Sequence, residues 1–417
     1  MGGGHDGKGS HLTVDGVFSG VRVVELAQFV FVPAAGALLA DQGAEVIHVE
    51  PPGSGDPYRT LKIADGRVTK SANLSMEQNN RGKKSVAIDL KSPEGREVFL
   101  RLIETADIFL TSLRPKAIEG LGLGVEALRA RNPKLIYVRG NGVGFEGPEL
   151  DKAGYDASAF WARGGFAHVL RPQGYDAPLR PRPALGDHTS AVAVAYGMAG
   201  ALFKRAQTGE PSVVDISLLA SAMWVLSADV VLSQTQSPTQ MAATVSEARF
   251  PLTRAYRTRD GRYIQLMLLD PERYWRPLCS MVGRENLIAD PRFVSVETRT
   301  ENGGAICDEL DAAIAERDWS DWKPIFEAWD APWELVQNIH EVAADPQAAA
   351  NGYLFDVEVE DGTQIKLAAG PVGFDGRHAP LDPRRAPLLG EHTEEILTSL
   401  GLGPADLERL RADEAIQ

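Results

Sequence analysis

The chain has 417 residues, 44% hydrophobic and 24% charged, the balance of a globular protein large enough for two folding units. A net charge of −14 speaks against nucleic acid or an anionic membrane surface as partner, so an anionic ligand must be met by a local basic cluster. Cys279 and Cys307 are the only cysteines and form no CxxC pair, which points away from a disulfide framework or a cysteine metal site and towards a cytoplasmic protein.

Residues 1–15 (MGGGHDGKGSHLTVD) lack the apolar segment of a signal peptide and read as a disordered tail. No apolar run reaches membrane-spanning length. From Val21 the sequence becomes regular: VRVVEL reads as a buried strand, Pro33 to Gln42 as a helix, and AEVIHVE as a second strand ending at Glu50. Val86 to Leu90 reads as a strand, and Ser92-Pro93 opens a helix that places Val98 with Leu102 and Phe99 with Ile103 on its inner face. Asp107 to Thr111 and Leu135 to Arg139 supply two more strands. Short apolar runs alternating with helices predict an α/β fold, a parallel sheet covered on both faces.

That order invites a dinucleotide-binding reading with Glu50 on a ribose. The turn after the first strand argues against it, because Ala27-Gln28-Phe29-Val30-Phe31 holds none of the required glycines. Asn80 to Lys84 (NRGKK) is the densest basic cluster of the first half, open to two readings: a phosphate site or a solvated loop.

Pro183 to Gln207 reads as a turn opening an alanine-rich helix, with Asp187 after Leu185-Gly186. Asp187 is either a helix N-cap or a nucleophile placed where first-turn N–H groups and the helix dipole favour negative charge. A carboxylate ionised at neutral pH attacks an activated acyl carbon without a general base. Asp156, in Gly154-Tyr155-Asp156, is either a capping loop acid or a group that tunes Asp187.

Val213 to Leu219 reads as a further strand, and a helical stretch from Ala220 runs to about Leu232. The Gln-, Thr- and Ser-rich stretch Ser233 to Ser246 reads as linker, residues 223–250 being assigned to it as a whole between a large domain at 16–222 and a small α+β domain at 251–343. Arg259-Asp260-Gly261 between two strand-like runs is a hairpin signal, as is Asp361-Gly362 later. Residues 344–417 read as a return linker and helices, the last from Pro404 to about Ala412, packing on the large domain.

The motifs GVRVVELAQ…LLADQGAEVIHVEPPGSGDPYR, NNRGKKSVAIDLKSPEG, LRPKAIEGLGLGVEALRARNPKLIYV, AGYDASAFWARGG, PALGDHTSAVAVAYGMAGAL, TRDGRYI and PLLGEHTEEIL resemble, in this order, the class III CoA-transferases, the CaiB/BaiF group that includes formyl-CoA and carnitine-CoA transferases. The resemblance implies a Rossmann-like large domain, a small domain and an interlocked homodimer. It implies that Asp187 is the nucleophile, with Asp156 beside it in the catalytic set, and that CoA passes from an acyl-CoA to a carboxylic acid through an aspartyl anhydride and an aspartyl-CoA thioester. Acyl-CoA enters as substrate, with no metal and no permanently bound cofactor. The CoA-binding positions it implies are Arg81, Lys83, Lys84, Arg114, Tyr155 and Val30.

The related α-methylacyl-CoA racemases keep a histidine where Tyr155 stands, and tyrosine is a poor base at neutral pH. A racemase and a non-catalytic CoA-binding paralogue are the alternative readings. His188 reads as the first residue of the helix rather than a racemase base. Val30 takes the place of a glutamine that shields intermediates in the formyl-CoA enzyme, and Pro51 that of an arginine. No glycine-rich loop precedes the small-domain hairpin; Ser246 to Phe250 stands there. Phe29, Phe31 and Trp161 suit an apolar or aromatic acyl group and equally suit core packing.

Overall fold

The computed structural model describes residues 16–61, 73–172, 175–237 and 250–417, and the chain divides into two compact units, residues 1–226 with 346–417 and residues 227–345. The first unit is built on six parallel strands, β1 (Arg22–Leu26), β2 (Glu45–Glu50), β3 (Lys84–Ala87), β4 (Ile108–Thr111), β5 (Ile136–Asn141) and β6 (Val213–Ser217). Their order across the sheet is β3-β2-β1-β4-β5-β6, so successive strands are added towards one edge up to β3 and towards the other from β4 on, with the switch between β1 and β4. Crevices at such a switch point, outside the carboxyl ends of the strands, are where open α/β sheets bind ligands.

Both faces of the sheet are covered, which is why its strands are apolar throughout. On one face Val23, Val46, Ile108 and Val138 meet Val32, Ala35 and Leu39 of α1 (Phe31–Asp41) together with buried residues further along the chain. On the other, Val24, Ile47 and Phe109 meet Val98, Phe99, Leu102 and Ile103 of the helix Pro93–Glu104, as its spacing predicts. That helix opens on Ser92, whose Oγ accepts the Gly95 N–H, with Pro93 at its first position. Ile396, Leu397, Leu407 and Leu410 of the C-terminal helices Thr393–Ser399 and Pro404–Ala412 join the same core.

The basic loop before β3 lies between a helix, α2 (Leu74–Asn80), and the strand. Beyond β5 a π-helix spans Asp156–Arg163, and then a long helix, α3 (Leu185–Thr208), packs across α1. Helix α2 is not foreseen from the sequence, and a helix after Asp156 is foreseen only in the reading of that residue as a cap.

The second unit contains the expected hairpin, Ala255–Arg257 paired with Tyr263–Leu266, and adds a third strand, Trp333–Leu335. Its core gathers Trp275, Phe293, Trp322 and Phe326. Cys279 and Cys307 are buried in this unit, neither in a disulfide, and burial pushes the Cys279 thiol up to about 12. Within the stretch assigned to linker, Ser227–Leu232 is helical, while 238–249, with most of the Ser246–Phe250 segment, lies outside the described residues, as do 1–15. The hairpin Leu354–Glu358 with Gln364–Ala368 forms where Asp361-Gly362 signals it. No described helix is long and apolar enough to cross a membrane.

Candidate active site

Asp187 is the third residue of α3, not its cap: the N-cap position falls to Ala184, in the left-handed conformation at φ 60°, with no side-chain cap. His188 is correspondingly the fourth helical residue rather than the first, and its Nε2 lies 2.8 Å from Asn79 Oδ1. The helix starts earlier than the sequence suggests because a neighbouring side chain supplies what Ala184 lacks. Asp156, buried at the start of the π-helix, accepts the Gly186 N–H at 3.1 Å.

Gly186 is required there. A Cβ at this position would lie 2.2 Å from Phe160 Cγ and 2.5 Å from Asp156 Oδ1. The absence of a side chain lets the π-helix press against the first turn of α3, bringing the two carboxyl groups together. Burial pushes the Asp187 carboxyl up to about 7, and the Asp156 charge adds to the rise. Asp156 is itself raised by burial, against the pull of the backbone N–H groups of Gly186, Asp187 and Leu185. Asp187 is therefore desolvated and only part-ionised at neutral pH, not the fully ionised carboxylate expected from an unperturbed aspartate.

Tyr155, next to Asp156, is 60% exposed, and its ring meets the edge of Phe29 at 5.4 Å between centroids. Phe29 stands in the turn after β1 with φ 66°, unusual for a bulky residue, and its N–H is held by both Asp56 carboxylate oxygens at 3.3 and 3.1 Å. Asp56 also accepts the Tyr58 N–H at 2.8 Å, and the Tyr58 ring lies 6.2 Å from Phe29. Neither Asp56 nor Gly186 is a candidate site residue on sequence grounds, although an Asp directly before Pro57-Tyr58 is a capping signal. Phe31, Trp161 and Val30 are buried in the core, and Trp161 Nε1 donates to the Leu179 carbonyl at 3.1 Å.

The basic cluster is not the set of open cations that either sequence reading assumed. Arg81 is buried, its Nη2 2.6 Å from Asp41 Oδ2, and Lys83 is fully buried, its Nζ 2.6 Å from Glu25 Oε1 and 2.9 Å from Asn80 Oδ1. Lys84 is partly exposed and bridges Glu45 at 2.9 Å and Glu395 at 2.7 Å. Internal carboxylates thus already match all three charges. Arg114 differs: it is exposed just past the carboxyl end of β4, where its Nη1 donates to the Asp151 carbonyl at 3.2 Å. Among the described residues no group of three or more His, Cys, Asp or Glu side chains is arranged to hold a metal ion.

The family model for CoA-transferase family III matches residues 18–393. The chain belongs to the family III CoA-transferases. It is 32% identical to the cinnamoyl-CoA:phenyllactate CoA-transferase of Clostridium sporogenes, over 96% of this chain and 97% of that protein. It is 31% identical to the (R)-2-hydroxy-4-methylpentanoate CoA-transferase of Clostridioides difficile, over 96% of this chain and all of that one. Among solved structures, Rv3272 from Mycobacterium tuberculosis matches with a TM-score of 0.78 at 30% identity, covering 91% of this chain and 98% of that one. A CAIB/BAIF family protein from Brucella suis matches with a TM-score of 0.79 at 28% identity, covering 93% and 100%. This family III CoA-transferase therefore shares the CaiB/BaiF fold, and its substrate is an acyl-CoA.

Proposed function

We propose that the enzyme moves CoA from an acyl-CoA to a carboxylic acid by covalent catalysis on Asp187. The supporting observation is the Asp187 carboxylate itself, desolvated in the first turn of a 24-residue helix whose N-terminal end favours developing negative charge. One Asp187 oxygen attacks the thioester carbonyl carbon, the C–S bond breaks, and CoA leaves as thiolate from an aspartyl anhydride. The thiolate then attacks the aspartyl carbon, expelling the donor acid as its carboxylate and leaving an aspartyl-CoA thioester. An acceptor carboxylate displaces the thiolate to form a second anhydride. Attack of the thiolate on the acceptor's acyl carbon releases the new acyl-CoA and restores Asp187. No proton is gained or lost over the cycle, so the scheme needs no general base.

Tyr155, beside Asp156 in the chain, and the Phe29 ring against it support an acid with an aromatic or branched apolar side chain, in keeping with the acids that name the two clostridial relatives. Arg114 is the cation of the expected CoA-binding set whose exposure suits a phosphate contact. A homodimer is supported by the exposed rings of Tyr196 and Phe203, one heptad apart on α3, at 80% and 68% exposure.

The test is mass spectrometry of the enzyme after incubation with a panel of aryl, branched and short-chain acyl-CoAs. An acyl or CoA adduct on the Asp187 peptide, reducible by borohydride, is the expected result. Unchanged transfer activity in Asp187→Ala would overturn the reading.

A further inference from the structure

Beneath the Phe29 turn lies a buried cluster of charges that the chemistry at Asp187 does not use. Glu25, His48 and Ser85 stand side by side on β1, β2 and β3, on the face covered by α1. His48 Nδ1 lies 2.7 Å from Glu25 Oε1, which also receives Lys83 Nζ. Glu50 takes Arg59 at 2.5 and 2.7 Å and the Asp56 N–H at 2.8 Å. Helix α1 closes over the cluster at Gly36, where a Cβ would lie 2.1 Å from Glu25 Oε2.

The other nitrogen of His48, Nε2, is buried without a hydrogen bond and lies 3.8 Å from Asp56 Oδ2 and 3.9 Å from Glu50 Oε2. Those distances are too long for hydrogen bonds and short enough for a strong charge contact in a buried setting. Three carboxyl groups, Glu25, Glu50 and Asp56, face the basic side chains of Lys83 and Arg59. His48 is the third basic side chain among them.

Resting on the reading of Asp187 as nucleophile, we propose that Asp56, faced by the buried His48 ring, is a positioning residue that holds Phe29 in its left-handed conformation so that its ring braces Tyr155 beside the Asp156–Asp187 pair. The geometry runs without a gap. Asp56 grips the Phe29 N–H, the Phe29 ring meets Tyr155, and the next residue, Asp156, holds the Gly186 N–H. A bulky residue at positive φ pays a strain that persists only where its surroundings over-determine it, and the Asp56 carboxylate is that constraint. Burial alone would lower the His48 pKa, but the Glu50 and Glu25 carboxylates outweigh it and raise it. Lys83, the other buried base of the cluster, is lowered by burial.

The test is a double-mutant cycle on the full-length enzyme, reading kcat/KM for acyl-CoA. Asp56→Ala is expected to lower kcat/KM on the order of tenfold when Phe29 is present, and less than about twofold in a Phe29→Gly background, where the backbone needs no constraint and the ring is gone. Asp56→Asn, which keeps an oxygen facing the Phe29 N–H, restores most of the loss. His48→Gln repeats the dependence on Phe29 and serves as the probe should Asp56→Ala fail to fold. Equal losses in the two backgrounds, or no rescue by asparagine, overturn the proposal. Asp187→Ala is assayed alongside: if it stays active the nucleophile reading fails, whereas an inactive Asp187→Ala with an additive cycle removes only the positioning role.

Discussion

The Oδ1 atom of Asp156 accepts the backbone N–H of Gly186 at 3.1 Å, which ties the π-helix to the first turn of α3 one residue before Asp187. One carboxylate thereby sets both the place of the second and, through its charge, the second one's proton affinity.

Replacing Asp187 by alanine is expected to reduce kcat on the order of a thousandfold or more while leaving the fold intact. Because the variant sheds a desolvated carboxylate, its Tm should equal or exceed that of the parent. Steady-state transfer assays and thermal unfolding check the two halves of this prediction.

Activity should rise with pH through about 7, because only the ionised Asp187 attacks, and level off above. The stability linkage has the opposite sign. With its folded pKa above the ~3.9 of an unfolded aspartate, Asp187 contributes stability that is complete below that value and is lost as pH rises to about 7. Asp187→Asn should flatten this part of the Tm-against-pH curve. Asp156→Asn removes the neighbouring negative charge, so the acid limb of any residual activity should move to lower pH.

Gly186→Ala should cost about 1–3 kcal/mol, since the added methyl meets Phe160 and Asp156 inside van der Waals contact. Its kcat should fall as well, because relief of the clash separates Asp156 from the helix turn. Denaturant unfolding and kcat measured on the same preparation test the link between the two.

Arg114 and Lys83 should separate ligand binding from stability. Arg114→Ala is expected to raise KM for acyl-CoA several-fold with little change in Tm, as for loss of an exposed phosphate contact. Lys83→Ala leaves Glu25 buried with His48 as its remaining basic partner and should cost about 3–5 kcal/mol. A large KM effect and unchanged stability for Lys83→Ala would reverse these assignments.

Incubation in deuterium oxide with an acyl-CoA and no acceptor acid should leave the α-hydrogen in place. Tyr155 stands where racemases keep a histidine, so α-proton exchange detected by mass spectrometry would restore the racemase reading.

The parallel sheet was legible because burial on both faces leaves uninterrupted apolar runs, and Ser92-Pro93 marked its helix because cap chemistry is local. Asp187 was legible as a residue but not in its helix position: the partner that organises this turn is Asp156, thirty-one residues earlier, which no cap rule sees. The NRGKK cluster misled for the same reason, since Arg81 and Lys83 find their carboxylates forty and fifty-eight residues away on α1 and β1. Positive charge in a sequence looks free until the fold supplies its counter-charge. The Phe29 conformation depends likewise on Asp56, and only the folded chain brings the two together.

The two cysteines give the enzyme a practical property. With Cys279 and Cys307 both sealed inside the second unit, a disulfide-exchange dye added during turnover meets no accessible protein sulfhydryl. A complete transfer cycle ends with CoA re-esterified, so any colour that develops counts the cycles in which water, rather than the second acid, intercepted the enzyme. A one-cuvette assay can thus rank acceptors by how well each suppresses this hydrolytic leak.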